Sequence, residues 1–312
     1  MELAYLIQAH HQPVHLRRLV AALAAPHVTI FIHIDLKSDF AQFEPIAAEN
    51  VVFLKNRIRV NHGGFSELLQ MIILLNEAAQ YKEFDYYIFL SGADYPIKGA
   101  AHLFDFLRKN DGTNFINFYP FQGDVAGIRH ITKYYGVDFT ARVWRPFAVL
   151  AKAILRILNR CAPDRTFAAS QGGMVPYRGS AWCCLHRETA RYVLDYLGTV
   201  RGKKVLDFFR YSWAPDEMLF HTIILNSPYA VRCRYYERDI LRAAAPLKNE
   251  NKAYLHYIDW NPERENPAIL DETDFEKICA SDFYFARKFD EKKSSALLDQ
   301  IDARLLASDA PR

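Results

Sequence analysis

Val28-Thr29-Ile30-Phe31-Ile32-His33-Ile34 is a β-branched and mostly apolar run of strand length, and it ends on Asp35. Three further runs of the same character occupy Leu3–Ala9, Val51–Leu54 and Tyr86–Leu90. Strands that are apolar on both faces are typical of a parallel sheet that helices cover on both sides. The first hundred residues therefore predict an α/β fold with a mostly parallel central sheet.

Segments with helical spacing separate these strands. Val14 to Leu23 and Phe65 to Ala79 both repeat apolar residues at the interval of a helix face. Further helices are predicted near 187–197, from about Pro215 and in the tail from Asp290. The stretch from 119 to 138 is instead interpreted as rich in loops.

Polar residues follow the predicted strands at the point where each strand ends. His10 and His11 come after the first strand, Asp35 after the second, and Asp94 shortly after the strand that ends at Leu90. Ligands of such sheets bind beyond the carboxyl ends of the strands, so these residues indicate a site. A metal site is not predicted from His10 and His11, because no third ligand follows at a suitable spacing.

Composition restricts the class of protein. The chain has 312 residues, of which 51% are hydrophobic and 24% charged, as in a folded protein of two domains or one large α/β domain. Its 39 Lys and Arg against 36 Asp and Glu give a net charge of +3, too small to predict a nucleic-acid partner. Neither GxGxxG nor GxxxxGK[ST] occurs, which argues against a dinucleotide oxidoreductase and a P-loop NTPase.

Cysteine usage and apolar patterning bear on location. Five cysteines without CxxC spacing predict neither a disulfide framework nor a zinc site, and favour a reducing compartment. Met1 to Ile7 shows no basic n-region or cleavage site, and no run approaches ~18 apolar residues. We therefore expect a cytoplasmic protein, with a position at the inner face of the cytoplasmic membrane as a further option.

Four segments in register carry a family resemblance. They are His33-Ile34-Asp35-Leu36-Lys37, Leu90-Ser91-Gly92-Ala93-Asp94-Tyr95-Pro96-Ile97, Gly179-Ser180-Ala181-Trp182 with Ala214-Pro215-Asp216-Glu217, and Phe285-Ala286-Arg287-Lys288-Phe289-Asp290. From about residue 3 to about 292, the chain resembles the core-2/I-branching glycosyltransferase family. This family includes β-1,6-N-acetylglucosaminyltransferases and peptide O-xylosyltransferases.

The resemblance implies a GT-A-type α/β fold, a UDP-sugar donor and inversion at the anomeric carbon. It also implies a site without the metal-binding Asp-x-Asp motif, so that no divalent metal is required. Gly92-Ala93-Asp94-Tyr95 agrees, since it contains a single acid. We expect one domain over 1–312, with a nucleotide-binding half (1–118), an acceptor and catalytic half (119–292) and a helical tail (293–312).

The resemblance assigns the general base to Glu217, which matches the family's catalytic Glu in the Pro-Asp-Glu segment. A base near the acceptor hydroxyl removes its proton as the hydroxyl attacks. The alternative is structural, because Pro215 followed by Asp216 and Glu217 is also an ordinary helix start. Asp216 is expected to be a cap or an orienting group on the acceptor side.

Cations are expected to stabilise the departing diphosphate in place of a metal. Lys288 matches the family's phosphate-contacting Lys, and Arg264 is the nearest counterpart of its second cation, although the local register is off by about one residue. Arg287 is an adjacent alternative. A solvated Lys-Arg pair on the surface is the alternative for Arg287 and Lys288.

The uridine is expected at the ends of the first two strands. Asp35 matches the family's uridine-contacting Asp, Lys37 lies beside it, and Ala9 and His10 fall near the uracil. Asp94 is assigned to the donor site as well. Both Asp residues have a turn role as the alternative.

The acceptor side is less determined. Ser180 and Trp182 lie where the family contacts sugars, and Arg129 lies in a segment with His130, Lys133 and Tyr134 that could reach an acceptor. The implied reaction transfers a sugar, with GlcNAc or xylose favoured, to a glycan or glycoconjugate. The alternative is a catalytically silent nucleotide- or carbohydrate-binding protein on the same fold.

Residues 144–160 predict an amphipathic helix. Arg145, Lys152, Arg156 and Arg160 fall on one helical face, and apolar residues fill much of the rest. The pattern is typical of a helix in an anionic membrane surface, or of a helix that packs on the core and exposes a basic stripe. Peripheral membrane contact through this helix is therefore one hypothesis.

Overall fold

The computed structural model describes residues 1–121, 125–142, 144–236 and 253–307. Within these ranges the strands are β1 (Leu3–Ala9), β2 (Val28–Ile34), β3 (Val51–Phe53), β4 (Tyr86–Ser91), β5 (Asp94–Pro96), β6 (Phe118–Pro120), β7 (Tyr177–Gly179), β8 (Cys184–His186), β9 (His256–Ile258) and β10 (Phe285–Arg287). The helices are α1 (Pro13–Leu23), α2 (Phe65–Tyr81), α3 (Ala100–Lys109), α4 (Val125–Thr132), α5 (Val137–Arg142), α6 (Arg145–Cys161), α7 (Phe167–Ser170), α8 (Arg187–Gly198), α9 (Val200–Phe209), α10 (Leu219–Leu225), α11 (Phe275–Cys279) and α12 (Ser295–Ile301).

The central sheet has five strands in the order β3-β2-β1-β4-β8. The first four are parallel, and β8 pairs antiparallel with β4, with His186 opposite Tyr86. The predicted α/β fold with a mostly parallel sheet is confirmed. β8 comes from the second half of the chain, so both halves build one sheet; the division into halves and tail stays a prediction.

Helices cover both faces of this sheet, and successive side chains of β1 pack alternately into the two apolar layers between the sheet and the helices. Leu3, Tyr5 and Ile7 pack in the layer that contains α1. Ala4 and Leu6 pack in the layer that contains α2. The near-continuous apolar character of the strands thus has its physical reason, since each face is buried under helices.

A second sheet, in the order β5-β10-β9, extends beyond the end of β4. β10 pairs antiparallel with β5, which places Arg287 opposite Asp94. It pairs parallel with β9, which places Phe285 beside His256. Residues from positions 94, 256 and 287 therefore meet at one place, although nearly 200 positions separate the first and last along the chain.

Three sequence-based boundaries need correction. Residues 119–138 are not mainly loop, because α4 and the start of α5 lie there. Gly127 lowers the helix propensity of this segment, and the packing of Ile131 in the core stabilises the helix instead. The helix expected from Pro215 is a 3₁₀ turn over Pro215–Glu217 followed by α10, and the C-terminal helix starts at Ser295. In the part of the chain that the structure describes, no helix is long and apolar enough to cross a bilayer.

Candidate functional site

The carboxyl ends of β1, β2 and β4 meet at one edge of the central sheet. The amide of Asp35 donates to the carbonyl of Ala9 at 2.9 Å, which joins the ends of β1 and β2. A Cβ on Gly92 would lie 2.9 Å from the Cβ of Ala9, so the chain after β4 approaches β1 too closely for a side chain. The predicted convergence of the strand ends is therefore present.

Asp35 is held rigidly at this edge. Its Oδ1 accepts from the amide of Lys37 at 2.9 Å, and its Oδ2 lies 3.4 Å from the ammonium of Lys37. Arg57 donates to the carbonyls of Ile34, Asp35 and Ser38 and fixes the turn from behind. Lys37 also donates to the carbonyl of Val60, so the segment leading to α2 lies against this turn.

His10, His11 and Lys288 lie together beside Asp35. The two imidazole rings are stacked, with centroids 4.0 Å apart. Desolvation lowers the pKa of both histidines, and the positive charge of Lys288 lowers each further, while Asp35 opposes the shift at His10. No described residue forms a hydrogen bond or ion pair with the ammonium of Lys288. This positive charge is therefore available to a ligand.

Asp94 anchors Arg287 in the same region. The Asp94 side chain is fully buried, and its oxygens accept from the amide and hydroxyl of Ser91 at 2.7 and 2.6 Å. Arg287 Nε donates to Oδ1 at 3.1 Å, and His256 Nε2 lies 3.4 Å from Oδ2. Burial alone would raise the pKa of Asp94, but Arg287, His256 and Ser91 hold it below its ordinary value.

The Arg287 guanidinium also lies over the indole of Trp182, 4.3 Å from the ring centroid. We call Lys37, Arg287 and Lys288 the basic group. Asp94 and Trp182 orient Arg287, and the chain places Lys288 directly after it. This arrangement presents positive charge at the edge of the sheet, where an anionic ligand can bind.

Glu217 lies on the turn that packs against the start of α2. The amide of Ala214 donates to the carbonyl of Gly63 at 3.0 Å. Gly63 has φ +72°, and a Cβ there would lie 2.7 Å from the Trp213 ring, so only glycine allows this contact. α2 runs back from the carboxyl edge to the start of β4, so its first turn lies at the same edge as the strand ends.

Three carboxylates crowd together here, and we call Glu67, Asp216 and Glu217 the acidic group. Burial raises the pKa of Asp216 well above its ordinary value, and the charges of Glu67 and Glu217 raise it further. Burial also raises the pKa of Glu217, although Arg178 opposes this with an ion pair at 3.1 Å. A carboxylate with a raised pKa and a partly exposed side chain is suited to accept a proton near neutral pH.

One short segment joins the two groups. Arg178 on β7 pairs with Glu217, and Trp182, four residues later, lies under Arg287. Ser180 lies between them, and its hydroxyl accepts from the amide of Trp182 at 3.3 Å. Four extended residues span at most ~14 Å, so the backbones at Arg178 and Trp182 lie within that distance of each other.

For two of the residues expected at the site, the described structure shows no hydrogen bond or ion pair with the basic group or the acidic group. Arg264 pairs with Asp259, Asp271 and Asp274 and donates to the carbonyl of Ile269. The neighbouring residues Ala268 and Leu270 hydrogen-bond to the backbone of Lys288, so Arg264 supports the segment that holds Lys288. Its predicted phosphate contact stays a prediction, and the ion pairs argue for a structural role.

Arg129 is the second. It is exposed on α4, and the structure shows it in contact with neither group among the residues described. The backbone of its neighbour His130 accepts from Trp213 at 3.0 Å, so α4 borders the turn that carries Glu217. The acceptor roles of Arg129, Ser180, Trp182 and Asp216 stay predictions.

The sequence analysis did not identify three residues that contact or shift the pKa of the predicted site residues. Arg178 pairs with Glu217, Glu67 raises the pKa of Asp216, and His256 supports Asp94. Arg178 directly precedes the quoted Gly179-Ser180-Ala181-Trp182 segment, and Glu67 is an acid in the first turn of a predicted helix, so both carried a weak signal. His256 carried none, because only the pairing of β9 with β10 brings it to Asp94.

No cluster of three or more His, Cys, Asp or Glu side chains suited to a metal ion occurs in the ranges that the structure describes. Both oxygens of Asp94, the single acid after β4, are engaged by Ser91, Arg287 and His256. Independence from a metal stays a prediction.

Comparison with known proteins identifies a family model that matches this chain and several similar proteins. The Core-2/I-Branching enzyme family model matches residues 3–279. A xylosyltransferase (oxt) of Drosophila pseudoobscura pseudoobscura is 26% identical over 91% of this chain and 31% of its own length. Human xylosyltransferase 2 is 26% identical over 100% of this chain and 34% of its own. The chain thus spans about a third of the length of these relatives.

Among solved structures, mouse xyloside xylosyltransferase 1 in its apo form matches with a TM-score of 0.34 and 11% identity, over 72% of this chain and 80% of that one. A score of this size supports no inference. The family model covers most of the chain, and its match agrees with the resemblance carried by the four quoted segments. The chain belongs to the core-2/I-branching enzyme family.

Proposed function

We propose that this chain transfers a sugar from a UDP-sugar to a hydroxyl of a glycan or glycoconjugate. One observation carries the proposal: a carboxylate with a raised pKa lies at the same edge of the sheet as the oriented Arg287 and the adjacent Lys288, and residues 178–182 join the two groups. A binding protein needs the cations but has no use for a base. Sugar transfer by single displacement needs both.

In the proposed mechanism, the uridine lies at the ends of β1 and β2, where Asp35 and Lys37 hydrogen-bond to it and the stacked His10 and His11 flank it. Ala9 contributes through its backbone at the same place. The diphosphate lies against Arg287 and Lys288, and Asp94 acts as a positioning residue through Arg287. These assignments follow the family match and agree with the contacts that fix each side chain.

Glu217 accepts the proton of the acceptor hydroxyl as its oxygen attacks the anomeric carbon. The bond between that carbon and the UDP oxygen breaks in the same step, and the charge on the leaving diphosphate is stabilised by Lys288 and Arg287. Attack from the face opposite to UDP inverts the configuration. Trp182 and Ser180 lie between the two groups, where a sugar ring could stack on the indole.

The donor sugar is xylose or GlcNAc in this proposal. The printed names of the similar proteins from Drosophila and human identify those proteins as xylosyltransferases, which favours xylose. We also propose that the protein works in a reducing compartment such as the cytoplasm, in keeping with five free cysteine thiols.

The test is a panel of UDP-sugars, with GDP-mannose as the control, measured by hydrolysis and by thermal stabilisation. A donor at 100 times its Kd should stabilise the protein by ~2.7 kcal/mol. We expect UDP release with one sugar and none with GDP-mannose. Stabilisation by UDP without any turnover would instead support a silent nucleotide-binding protein, and no response to any UDP-sugar would contradict the proposal.

A further inference from the structure

The outer face of α6 is apolar and open to solvent. The side chains at the start of α6 and along this face are between 40% and 72% exposed, although all are large and apolar. They are Trp144, Phe147, Leu150, Ile154, Ile157 and Leu158. Spacings of three, four and seven residues place those of α6 along one stripe, which we call the apolar stripe. A continuous exposed stripe of this kind marks an interaction surface.

The opposite face of α6 explains how the helix is attached. Asn159 accepts from the amide of Tyr134 and donates to its carbonyl, both at 2.8 Å. Leu155 packs against Gly136, where a Cβ would lie 2.9 Å from its Cδ1. The helix is therefore fixed to the protein through one narrow face, and the apolar stripe is not the side that packs on the core.

A row of positive charge runs along the side of α6 away from the apolar stripe. Lys152, Arg156 and Arg160 repeat every four residues and are exposed. None of the three forms an ion pair with a described residue, and α6 contains no Asp or Glu. A polar side rich in unpaired cations and another side of large exposed apolar residues are typical of a helix that lies in an anionic membrane surface.

We propose that α6 binds the surface of a bilayer that contains anionic lipids. The apolar stripe enters the boundary between headgroups and acyl chains, and the positive charge of Lys152, Arg156 and Arg160 attracts the anionic headgroups. The charge pattern favours this occupant over a second copy of the chain. Two copies of α6 in contact would bring two helices of the same positive charge side by side, and α6 offers no carboxylate to offset that charge.

Co-sedimentation of the full chain with vesicles tests the proposal. Vesicles of phosphatidylcholine with 30% phosphatidylglycerol should bind the protein at least tenfold more strongly than vesicles of pure phosphatidylcholine. The variant Leu150→Glu/Ile154→Glu should lose at least tenfold in binding to the anionic vesicles. Arg156→Gln/Arg160→Gln should lose roughly 25-fold, since each cation near such a surface contributes about fivefold.

Lys203→Gln/Lys204→Gln on α9 is the matched control, because it removes two exposed cations that lie outside α6. It should bind within twofold of the wild type. All variants should keep their melting temperature and their UDP-sugar hydrolysis, since the changed residues are exposed and lie outside the basic and acidic groups. Vesicle binding is read without turnover, so this test stands apart from the proposed function.

Equal binding to neutral and anionic vesicles would overturn the proposal, as would no binding to either. An equal loss in the α9 control would also overturn it, because the effect would then report net charge alone. Dimerisation in sedimentation experiments that Leu150→Glu/Ile154→Glu abolishes, without vesicle binding, would show that a second copy covers the apolar stripe instead.

Discussion

Asp94 and Asp216 are two carboxylates at the same edge of the sheet, and their pKa values shift in opposite directions. The pKa of Asp94 is lowered, and that of Asp216 is raised well above its ordinary value. Burial raises the pKa of both. Asp94 has Arg287 and His256 as partners, whereas Asp216 faces two further carboxylates. The neighbours, and not the depth, decide whether a buried acid is ionised.

The comparison extends to the groups around the two residues. On the basic side, the ionised Asp94 fixes an arginine and leaves the positive charge of Lys288 available. On the acidic side, Arg178 and His62 offset the effects of burial and of Glu67 only in part, so the pKa of Glu217 stays raised. One edge of the sheet therefore carries a group suited to bind an anion and a group suited to take a proton. The following predictions test this division, from the largest expected effect to the smallest.

Glu217→Gln should lower kcat by ~10²–10⁴-fold, because the amide keeps the shape of the side chain but cannot accept the proton. UDP affinity and melting temperature should change little, since the basic group holds the donor. Steady-state kinetics and calorimetry with UDP measure both. Glu188→Gln, which breaks the exposed pair with Arg232, is the control. Retention of more than a tenth of the wild-type kcat would assign the base to another residue, with Asp216 and Asp94 the next to test.

Asp94→Asn should destabilise the fold by about 3 kcal/mol at neutral pH, because Arg287 loses its buried counter-charge. The lowered pKa gives the sign of the pH dependence. Ionised Asp94 contributes its stability above the ordinary pKa of 3.8, and loses it as the pH falls through the lower folded-state value. The difference between variant and wild type in urea unfolding should therefore shrink as the pH falls below 3.8. Asp207→Asn, at an exposed pair with Arg210, should cost under ~1 kcal/mol.

Lys288→Ala should weaken UDP binding by roughly 10- to 150-fold, the equivalent of one charge-assisted contact of ~1.5–3 kcal/mol. Turnover should fall as well, because the leaving diphosphate loses its counter-charge. Titration calorimetry with UDP is the measurement, and Lys292→Ala, an exposed lysine in the next turn of chain, is the control. An unchanged affinity would move the role to Arg287 or Lys37.

Arg178→Gln should move the acidic limb of the pH profile of kcat/KM upward by about one pH unit. Arg178 opposes the rise in the pKa of Glu217, so its removal lets the pKa rise further, and the base is then protonated at a higher pH. Arg232→Gln, which breaks the other Arg–Glu pair, should leave the limb in place. If the acidic limb does not move in Arg178→Gln, the pKa seen in the pH profile belongs to a group other than Glu217.

Excess EDTA should change the rate by less than about twofold, the smallest effect of the series. Arg287 and Lys288 supply the positive charge that a metal would bring, and Asp94 is already committed to Arg287 and His256. The measurement is transfer or hydrolysis before and after chelation. A loss of more than tenfold that Mn²⁺ restores would contradict metal independence.

Much of the fold followed from local pattern. The predicted strands at Leu3–Ala9 and Val28–Ile34 have the bounds that the structure shows, since a buried parallel strand is almost wholly apolar and β-branched. α4 was missed because its eight residues include Gly127, and its helix depends on packing against Trp213 and the core. Short elements carry too few residues for periodicity to outweigh propensity.

The residues of the site are also of two kinds, those that the sequence alone identifies and those that only tertiary contacts bring to the site. Residues that end a strand or lie in a family segment, such as Asp35, Glu217 and Lys288, could be named from the sequence. Their partners could not be named. His256 reaches Asp94 through the pairing of β9 with β10. Arg178 reaches Glu217 because β7 hydrogen-bonds to Thr222 on α10, the helix that follows the Glu217 turn. Arg264 is a different case: the sequence analysis assigns it to the donor site, and the structure adds ion pairs with three carboxylates that the sequence did not indicate.

The sequence by itself determined which residue types stand at the carboxyl edge, because strand pattern and motif order are local properties of the chain. Only the tertiary structure decided the charge states there. The pKa of a buried acid depends on the charges within a few ångströms, and at Asp94 these come from β9 and β10, more than 150 positions away along the chain. At Glu217 they come from α2 and β7. Contacts of such separation exist only once the sheets have formed.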